Sequence, residues 1–514
     1  MGVLTLDSYI RKTFPWAVTY YNKTDKLVEK YKTLVIDANP FIYSAVYKFF
    51  PEDDPMAEFE EDSKTYEEKV KGIFEDTWNQ IYTIIKRVDS EEIFLAFDGS
   101  APQSKSCQQR TRRYVRPLEK DGFDKCHISS GTKFMYDICK FISFKIQEAN
   151  IKRKIIYSSQ NVPGEGEHKG MDYLRTLKKD KVCMFGPDGD LIMLGIASYH
   201  DFHLFKKNVR QNCEKNQTFY VINTTKIKFA LKDLKPEKFV SNSCASFVFL
   251  GALQGNDFLP RLEIFQFFIS GIPDLYRWYN KVDGSVMVKG KLNKKVFTDL
   301  LDLLADNESQ LLATRDDEFE YPLLKKHIKD GQFDFNGFKQ EYYKEWLGIT
   351  TQQQISQLCF NYLDTLWWAW IYYNETCPSY KHYYPYHYPP FVCDLAKYAK
   401  KWRQPTFPKT KPRDAFAQLC SIMPTNRAYL LPKRYHKYMT GPEFPKTVNI
   451  NIQGRHPEFE AVAEVPFFTA EIDVQHKHSH NRNRVEENRV FIYDPDNQYH
   501  VQTTWGRCIT NLRG

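Results

Sequence analysis

Two pairs of carboxylates, Glu165/Glu167 and Asp188/Asp190, stand in glycine-bearing stretches that read Val162-Pro-Gly-Glu-Gly-Glu-His-Lys and Gly186-Pro-Asp-Gly-Asp. Four acids brought to one place cannot all stay ionised without compensation, because burial and like-charge repulsion both disfavour the charged form. Divalent cations are the compensation that would turn such a cluster into a catalyst.

The elements that must position these acids are short. Each pair follows an apolar run, 154–158 and 181–186, that reads as a strand, so the acids sit at strand ends, where ligands collect in open α/β sheets. Asp37 closes a β-type run at 32–36, Asp98 follows one at 92–97, and Asp257 lies in a Gly-Asn-Asp corner behind the apolar stretch 247–262. Taken singly, each acid is readable as a turn residue or a helix cap. Together, Asp37, Asp98, Glu165, Glu167, Asp188, Asp190 and Asp257 recur at the ends of successive elements, and they offer only oxygen. That donor set suits Mg²⁺ or Mn²⁺ over Zn²⁺. Two ions about 4 Å apart would activate a water and stabilise a leaving oxygen in phosphodiester hydrolysis.

A basic segment follows Asp98. From Gln103 to Arg116 the spacing predicts a helix, with Lys105, Gln109, Arg112 and Arg116 on one face. Such a run is by default a solvated face, but beside an acidic strand end it resembles a phosphate grip. Further along, 66–88 reads as a helix behind the acidic stretch 51–68, 203–205 as a strand, and 206–240 as a polar, lysine-rich connection. The stretch 280–355 reads as a helical scaffold, clearest at 292–312. The Trp/Tyr run 367–373 suits core packing, and the Tyr/His/Pro run 380–391 suits a loop whose rings can stack on bases. Residues 475–489, with His476, His478 and His480, read as a polar linker. Bulk properties agree with a globular chain: 72 basic against 64 acidic residues give a formal charge of +8, a weak pull towards polyanions unless clustered. Eleven scattered cysteines suit reduced thiols in a cytosol-like compartment. No apolar run approaches the roughly 18 residues of a membrane span, and the start lacks the pattern of a signal peptide.

The motifs Asp37-Ala-Asn, Phe97-Asp-Gly-Ser-Ala-Pro-Gln-Ser-Lys-Ser-Cys-Gln-Gln-Arg-Thr-Arg-Arg, Val162-Pro-Gly-Glu-Gly-Glu-His-Lys, Gly186-Pro-Asp-Gly-Asp-Leu-Ile-Met, Gly255-Asn-Asp-Phe-Leu-Pro and Tyr384-Pro-Tyr-His-Tyr resemble, in order, the Xrn family of 5′-to-3′ exoribonucleases, relatives of the flap endonucleases. The resemblance implies an α/β fold: a mainly parallel central sheet flanked by helices, with a helical, aromatic-rich second region packed on it. It implies a nuclease core at 1–280, a helical connector at 281–360, a second region at 361–470 buttressing the site, and a polar linker and tail at 471–514. It implies that all seven acids are catalytic and bind two Mg²⁺ or Mn²⁺ ions. Lys105, Gln109, Arg112 and Arg113 would hold a 5′-monophosphate. Tyr43 stands where the family stacks a His on the first base, and Tyr380 and His382 replace its Pro-Ser-Trp-x-Trp tryptophans. The implied function is processive 5′-to-3′ hydrolysis of 5′-monophosphorylated single-stranded RNA in mRNA decay, by a cytoplasmic monomer that needs no membrane. The length suits a core-only member, as a compact viral genome would carry, acting then in the host cytoplasm. A structure-specific DNA flap endonuclease and a non-catalytic RNA 5′-end-binding protein are the competing readings.

Overall fold

The computed structural model describes residues 6–51, 65–116, 122–208, 217–235, 239–265, 271–314, 320–455, 461–472, 489–493 and 500–504. Its helices are α1 (Leu6–Thr13), α2 (Asn39–Phe49), α3 (Tyr66–Arg87), α4 (Gln103–Val115), α5 (Lys133–Glu148), α6 (Gly166–Leu174), α7 (Asp190–Ala197), α8 (Thr224–Leu234) and α9 (Val240–Gly251), then α10 (Gly271–Tyr279), α11 (Lys294–Ala313), α12 (Pro322–Lys326), α13 (Phe335–Leu347), α14 (Gln352–Asn374), α15 (Val392–Ala399) and α16 (Ala415–Ile422). The principal strands are β1 (Val18–Asn22), β2 (Lys30–Asp37), β3 (Asp89–Ala96), β4 (Lys154–Ser158), β5 (Lys181–Phe185), β6 (Asp201–Lys207) and β7 (Gln217–Asn223).

Runs of Ile, Val, Leu and Phe build the centre of a nine-stranded sheet. Strands β6, β5, β2, β3 and β4 lie side by side and parallel, while β7 and β1 extend one edge antiparallel. Side chains alternate between two cores. Val35, Phe94, Ile156 and Met184 face α6, α7 and α9, while Leu34, Ile36, Ile93, Leu95 and Ile155 face α2, α3 and α5. Strands covered on both faces read as continuous apolar runs, which is why these were predictable. Register then fixes function. Asp37 pairs with Ala96, Ala96 with Ser158, and Ile36 with Phe185, so four strands end at one level and release their loops along one rim.

The helical region shares a core with one face of the sheet: Leu300, Tyr342, Trp368 and Leu395 belong to the same buried cluster as Val35. The Trp/Tyr run 367–373 is accordingly packing within α14, with Trp368, Trp370, Tyr372 and Tyr373 buried. A separate cluster of Leu419, Ile422, Met423, Tyr435 and Phe468 closes over α4.

Two segments differ from expectation. The connection 206–240 contains the end of β6, all of β7 and α8. Its lysines disguised an amphipathic helix whose Ile227 and Leu231 are buried one turn apart. Within 471–514, Arg489–Tyr493 and His500–Thr504 form a hairpin that joins the sheet antiparallel to β4. The three histidines of 475–489 lie outside the described residues, as does most of the acidic stretch 51–68.

Candidate active site

Strand register delivers the acids. Asp37 is the last residue of β2, and its buried Oδ1 has no hydrogen-bond donor among the described residues. Asp98, just beyond β3, is held in place: Asn39 Nδ2 donates to its Oδ2 (2.8 Å) and Gly166 N to its Oδ1 (2.7 Å). Asn39 Oδ1 in turn accepts from the Asp98 backbone (3.1 Å). Position 166 admits only glycine at this spacing, since a Cβ there would lie 2.7 Å from Asp37 Oδ1. Glu165 caps α6 and Glu167 occupies its first turn, where the helix dipole favours negative charge. The preceding turn is pinned by Lys169, whose buried Nζ donates to the carbonyls of Ser159 (3.0 Å) and Val162 (3.2 Å). Asp190 opens α7, and its buried Oδ1 likewise lacks a donor among the described residues.

Carboxylate oxygens of Asp37, Asp98 and Glu167 lie within 4.8 Å of one another. Burial, then Asp98 and Asp188, drive the Asp37 carboxyl well above the usual range. Burial and then Glu165 do the same to Glu167, and burial followed by Asp188 pushes Asp190 up to about 7. Asp257 is the exception. Burial opposes its ionisation, but Lys105 and Arg112 outweigh it and hold the carboxyl below the usual range.

The cations responsible come from α4. Lys105 Nζ sits between Glu165 Oε2 (2.5 Å) and Asp257 Oδ2 (2.7 Å), and Gln108 Nε2 donates to Asp257 Oδ1 (3.0 Å). Glu165 Oε1 accepts from Tyr372 Oη of α14 (2.9 Å), and the Tyr372 ring stacks on His168 at 3.7 Å. One lysine cannot neutralise this set. The oxygen-only donors, the undonated Asp37 and Asp190 oxygens and the raised carboxyls together fit hard divalent cations.

Five of the acids, Asp37, Asp98, Glu165, Glu167 and Asp188, line a cleft of ≈ 940 Å³ together with Lys105, Gln109, Arg112, Arg113 and Arg116, so one pocket joins the acid cluster to the basic face of α4; Asp190 and Asp257 are not among its lining residues. Arg113 is oriented by Ser129, whose Oγ accepts from Nε (3.1 Å) and Nη2 (2.7 Å), and by the Gln109 carbonyl (3.0 Å). Arg112 Nη2 is buried with no acceptor in hydrogen-bond reach among the described residues, its nearest charge being Asp257 Oδ1 at 3.9 Å. Lys206 also lines the cleft, where its Nζ donates to the Asp188 carbonyl (3.2 Å) and pairs with Asp7 (3.1 Å).

Tyr43 lines the cleft. Tyr380 and His382 do not. Their carbonyls accept from Gln103 N (2.8 Å) and Ser104 N (3.2 Å), fixing the start of α4. The His382 ring is stacked on Trp368, bonded to Thr365 Oγ1 (2.9 Å) and edge-on to Phe407. Sequence reasoning missed Asn39, Ser129, Tyr372 and Gln418. Asn39 stood in a quoted motif and Tyr372 in the Trp/Tyr run read as packing, whereas Ser129 and Gln418 are distant in sequence and carried no local signal.

The family model described as the XRN 5′-3′ exonuclease N-terminus matches residues 1–120 and 115–207, and that of the Xrn1 helical domain matches 325–501. The 5′-3′ exoribonuclease 1 of Homo sapiens is 24% identical over 641 aligned positions, covering 98% of this chain and 37% of that protein. Its namesake in Saccharomyces cerevisiae is 23% identical, covering 91% of this chain and 42% of that protein. The Drosophila melanogaster 5′-3′ exoribonuclease 2 homolog is 23% identical, over 85% of this chain and 64% of that protein. The chain spans less than half the length of the first two relatives. Two family models in the expected order and relatives along nearly the whole chain lead to one conclusion: the chain belongs to the Xrn family.

Proposed function

We propose that the protein is a 5′-to-3′ exoribonuclease that hydrolyses 5′-monophosphorylated single-stranded RNA to mononucleotides, depends on Mg²⁺ or Mn²⁺, and acts processively. The observation that carries this reading is a cleft lined both by the cationic side of α4 and by five of the seven acids, among them Asp37, whose buried Oδ1 has no donor among the described residues. The relatives' names supply the polarity and the RNA.

The seven acids, Asp37, Asp98, Glu165, Glu167, Asp188, Asp190 and Asp257, would hold the cations. When bound, such cations supply a water nucleophile at neutral pH and stabilise charge on the departing oxygen. The chain's own residues do the rest. Arg112 and Arg113 present guanidinium forks that match phosphate oxygens, and Gln109 adds an amide donor. Fixing the terminal phosphate there places the first phosphodiester towards the acids and sets 5′-to-3′ polarity. Tyr43, on the same rim, offers a face for a base. Asn39 and Tyr372 hold Asp98 and Glu165, so two of the acids need not reorganise during reaction. Free thiols at all nine described cysteines suit action in a reducing compartment such as the cytoplasm.

The test is a comparison of 5′ ends. Incubated with Mg²⁺ or Mn²⁺, an RNA bearing a 5′-monophosphate should be converted to mononucleotides, and its 5′-hydroxyl counterpart should persist. Equal decay of both, or discrete internal cuts, sinks the proposal. Faster cleavage of a DNA flap at its junction would favour the endonuclease reading.

A further inference from the structure

Gln418 of α16 is 309 positions from Gln109 in sequence, yet its side chain reaches the basic face of α4 and lines the same cleft. It is 1% exposed, and both ends of its amide are engaged. Its Oε1 accepts from the backbone N–H of Ala101 at 2.6 Å. A backbone N–H can only donate, so this contact settles which end of the Gln418 amide is oxygen. Its Nε2 is therefore directed to Gln109, where it donates to Oε1 at 3.3 Å.

The consequence passes to Gln109. An isolated glutamine amide can present either its carbonyl or its NH₂ group to a ligand, and for a phosphate the two faces have opposite signs. With Oε1 occupied by Gln418, the group left for the cleft is NH₂, a donor. We infer that Gln418 is a positioning residue for 5′-phosphate selection: it locks the Gln109 amide so that a donor, never the carbonyl oxygen, meets the anion. This rests on the phosphate reading of the Lys105/Gln109/Arg112/Arg113 face and deepens it, because selectivity then depends on a residue in the helical region.

The surroundings keep α16 in place. A Cβ at Gly131, where φ is +94°, would lie 3.0 Å from the Ala415 carbonyl, so the turn after Ser129 abuts the start of α16. Arg110 Nη1, from the residue next to Gln109 on α4, donates to the Ser421 carbonyl at 2.7 Å. Gln418 thus approaches Gln109 from a helix anchored on both flanks.

The experiment compares 5′-monophosphate and 5′-hydroxyl RNAs of one sequence, using the full chain with Mg²⁺. The readout is the ratio of kcat/KM for the two RNAs in one preparation, so that loss of folded enzyme cancels. Gln418→Met, which frees the Gln109 amide, should lower the ratio about ten-fold, through KM for the phosphorylated RNA with kcat within about two-fold. Gln418→Glu, whose oxygens accept from both Ala101 and the Gln109 NH₂, should lower it further, and it serves if the Met variant does not fold. In a Gln109→Met background, Gln418→Met should change the ratio by less than about two-fold, because the two residues act as a unit. Equal decay of both RNAs by the unmutated enzyme defeats the phosphate reading and the inference with it. Discrimination that survives both Gln418 substitutions, or falls by the same factor with Gln109 already removed, overturns the inference alone.

Discussion

The two ends of the cleft are built on opposite principles. At the acid end, Asp37 and Asp190 keep buried oxygens without donors among the described residues, and burial with mutual repulsion raises Asp37, Glu167 and Asp190 above the carboxylate range. At the basic end the donor groups are braced: Arg113 by Ser129, Gln109 by Gln418, and the C-terminal turn of α4 by the buried Arg427, which bridges Asp124 and the carbonyls of Arg113 and Arg116. The acid end is electrostatically incomplete as a protein, whereas at the basic end Arg113 and Gln109 are held by the protein itself and Arg112 Nη2 is left without an acceptor among the described residues. A site that must capture cations leaves its charges uncompensated, and one that must discriminate fixes its donors beforehand.

The largest effect should come from emptying the acid end. Asp188→Ala with Asp190→Ala is expected to lower hydrolysis by about a thousand-fold or more while Ca²⁺-supported RNA binding survives. Residual turnover within about ten-fold of the parent would show that these acids are not the cation ligands. The same variant tests the electrostatics. With Asp190 raised from 3.8 to about 7, the metal-free fold retains a proton that the unfolded chain has released. Its stability therefore falls as pH rises through that window. Melting in EDTA should show this decline in the parent and a weaker one in the variant, and Mg²⁺ or Mn²⁺ should oppose it, since cation binding strengthens as carboxylates ionise.

Next in size is the junction of the two ends. Lys105 is the internal cation of the acid cluster, paired with both Glu165 and Asp257. Lys105→Met leaves those carboxylates buried without it, at a cost of about 3–5 kcal/mol in the metal-free protein. Urea unfolding should reveal the loss in EDTA and a partial recovery in Mn²⁺. An unchanged midpoint in EDTA would mean that Lys105 serves only the phosphate and that the two ends are electrically separate.

The same contrast explains what could be read from sequence. Acids at strand ends were legible because a parallel strand covered on both faces leaves an unbroken apolar run, and register carries its end to the rim: Asp37 closes β2, Asp98 stands just beyond β3, and Glu165 lies at the end of the loop that leads from β4 into α6. The basic face of α4 was legible by helical spacing. Its braces were not, because Gln418, Arg427 and Ser129 reach it across tertiary contacts and look locally like ordinary polar residues. The segment 217–234 was hidden for another reason: lysines on the exposed side of α8 outweighed a sparse buried stripe. The aromatic loop 380–391 shows that composition alone misleads, since exposed and packed rings are written with the same letters.

That last distinction yields the smallest and sharpest contrast. Tyr43 lies on the cleft rim, and a base stacked on it would contribute about 1–3 kcal/mol. Tyr43→Ala should therefore raise KM for 5′-monophosphate RNA by about ten-fold with little change in melting temperature. His382 lies on the other side of α4's first turn, its ring stacked on Trp368 and edge-on to Phe407, and burial pushes its imidazole down to about 4. A neutral, packed ring contributes to the fold and not to a ligand, so His382→Ala should lower the melting temperature and leave KM within about two-fold. The reverse pattern, a KM effect at His382 with stability untouched, would mean that RNA crosses the 380–391 loop, and the base path would then have to be moved from the cleft rim to that side of α4.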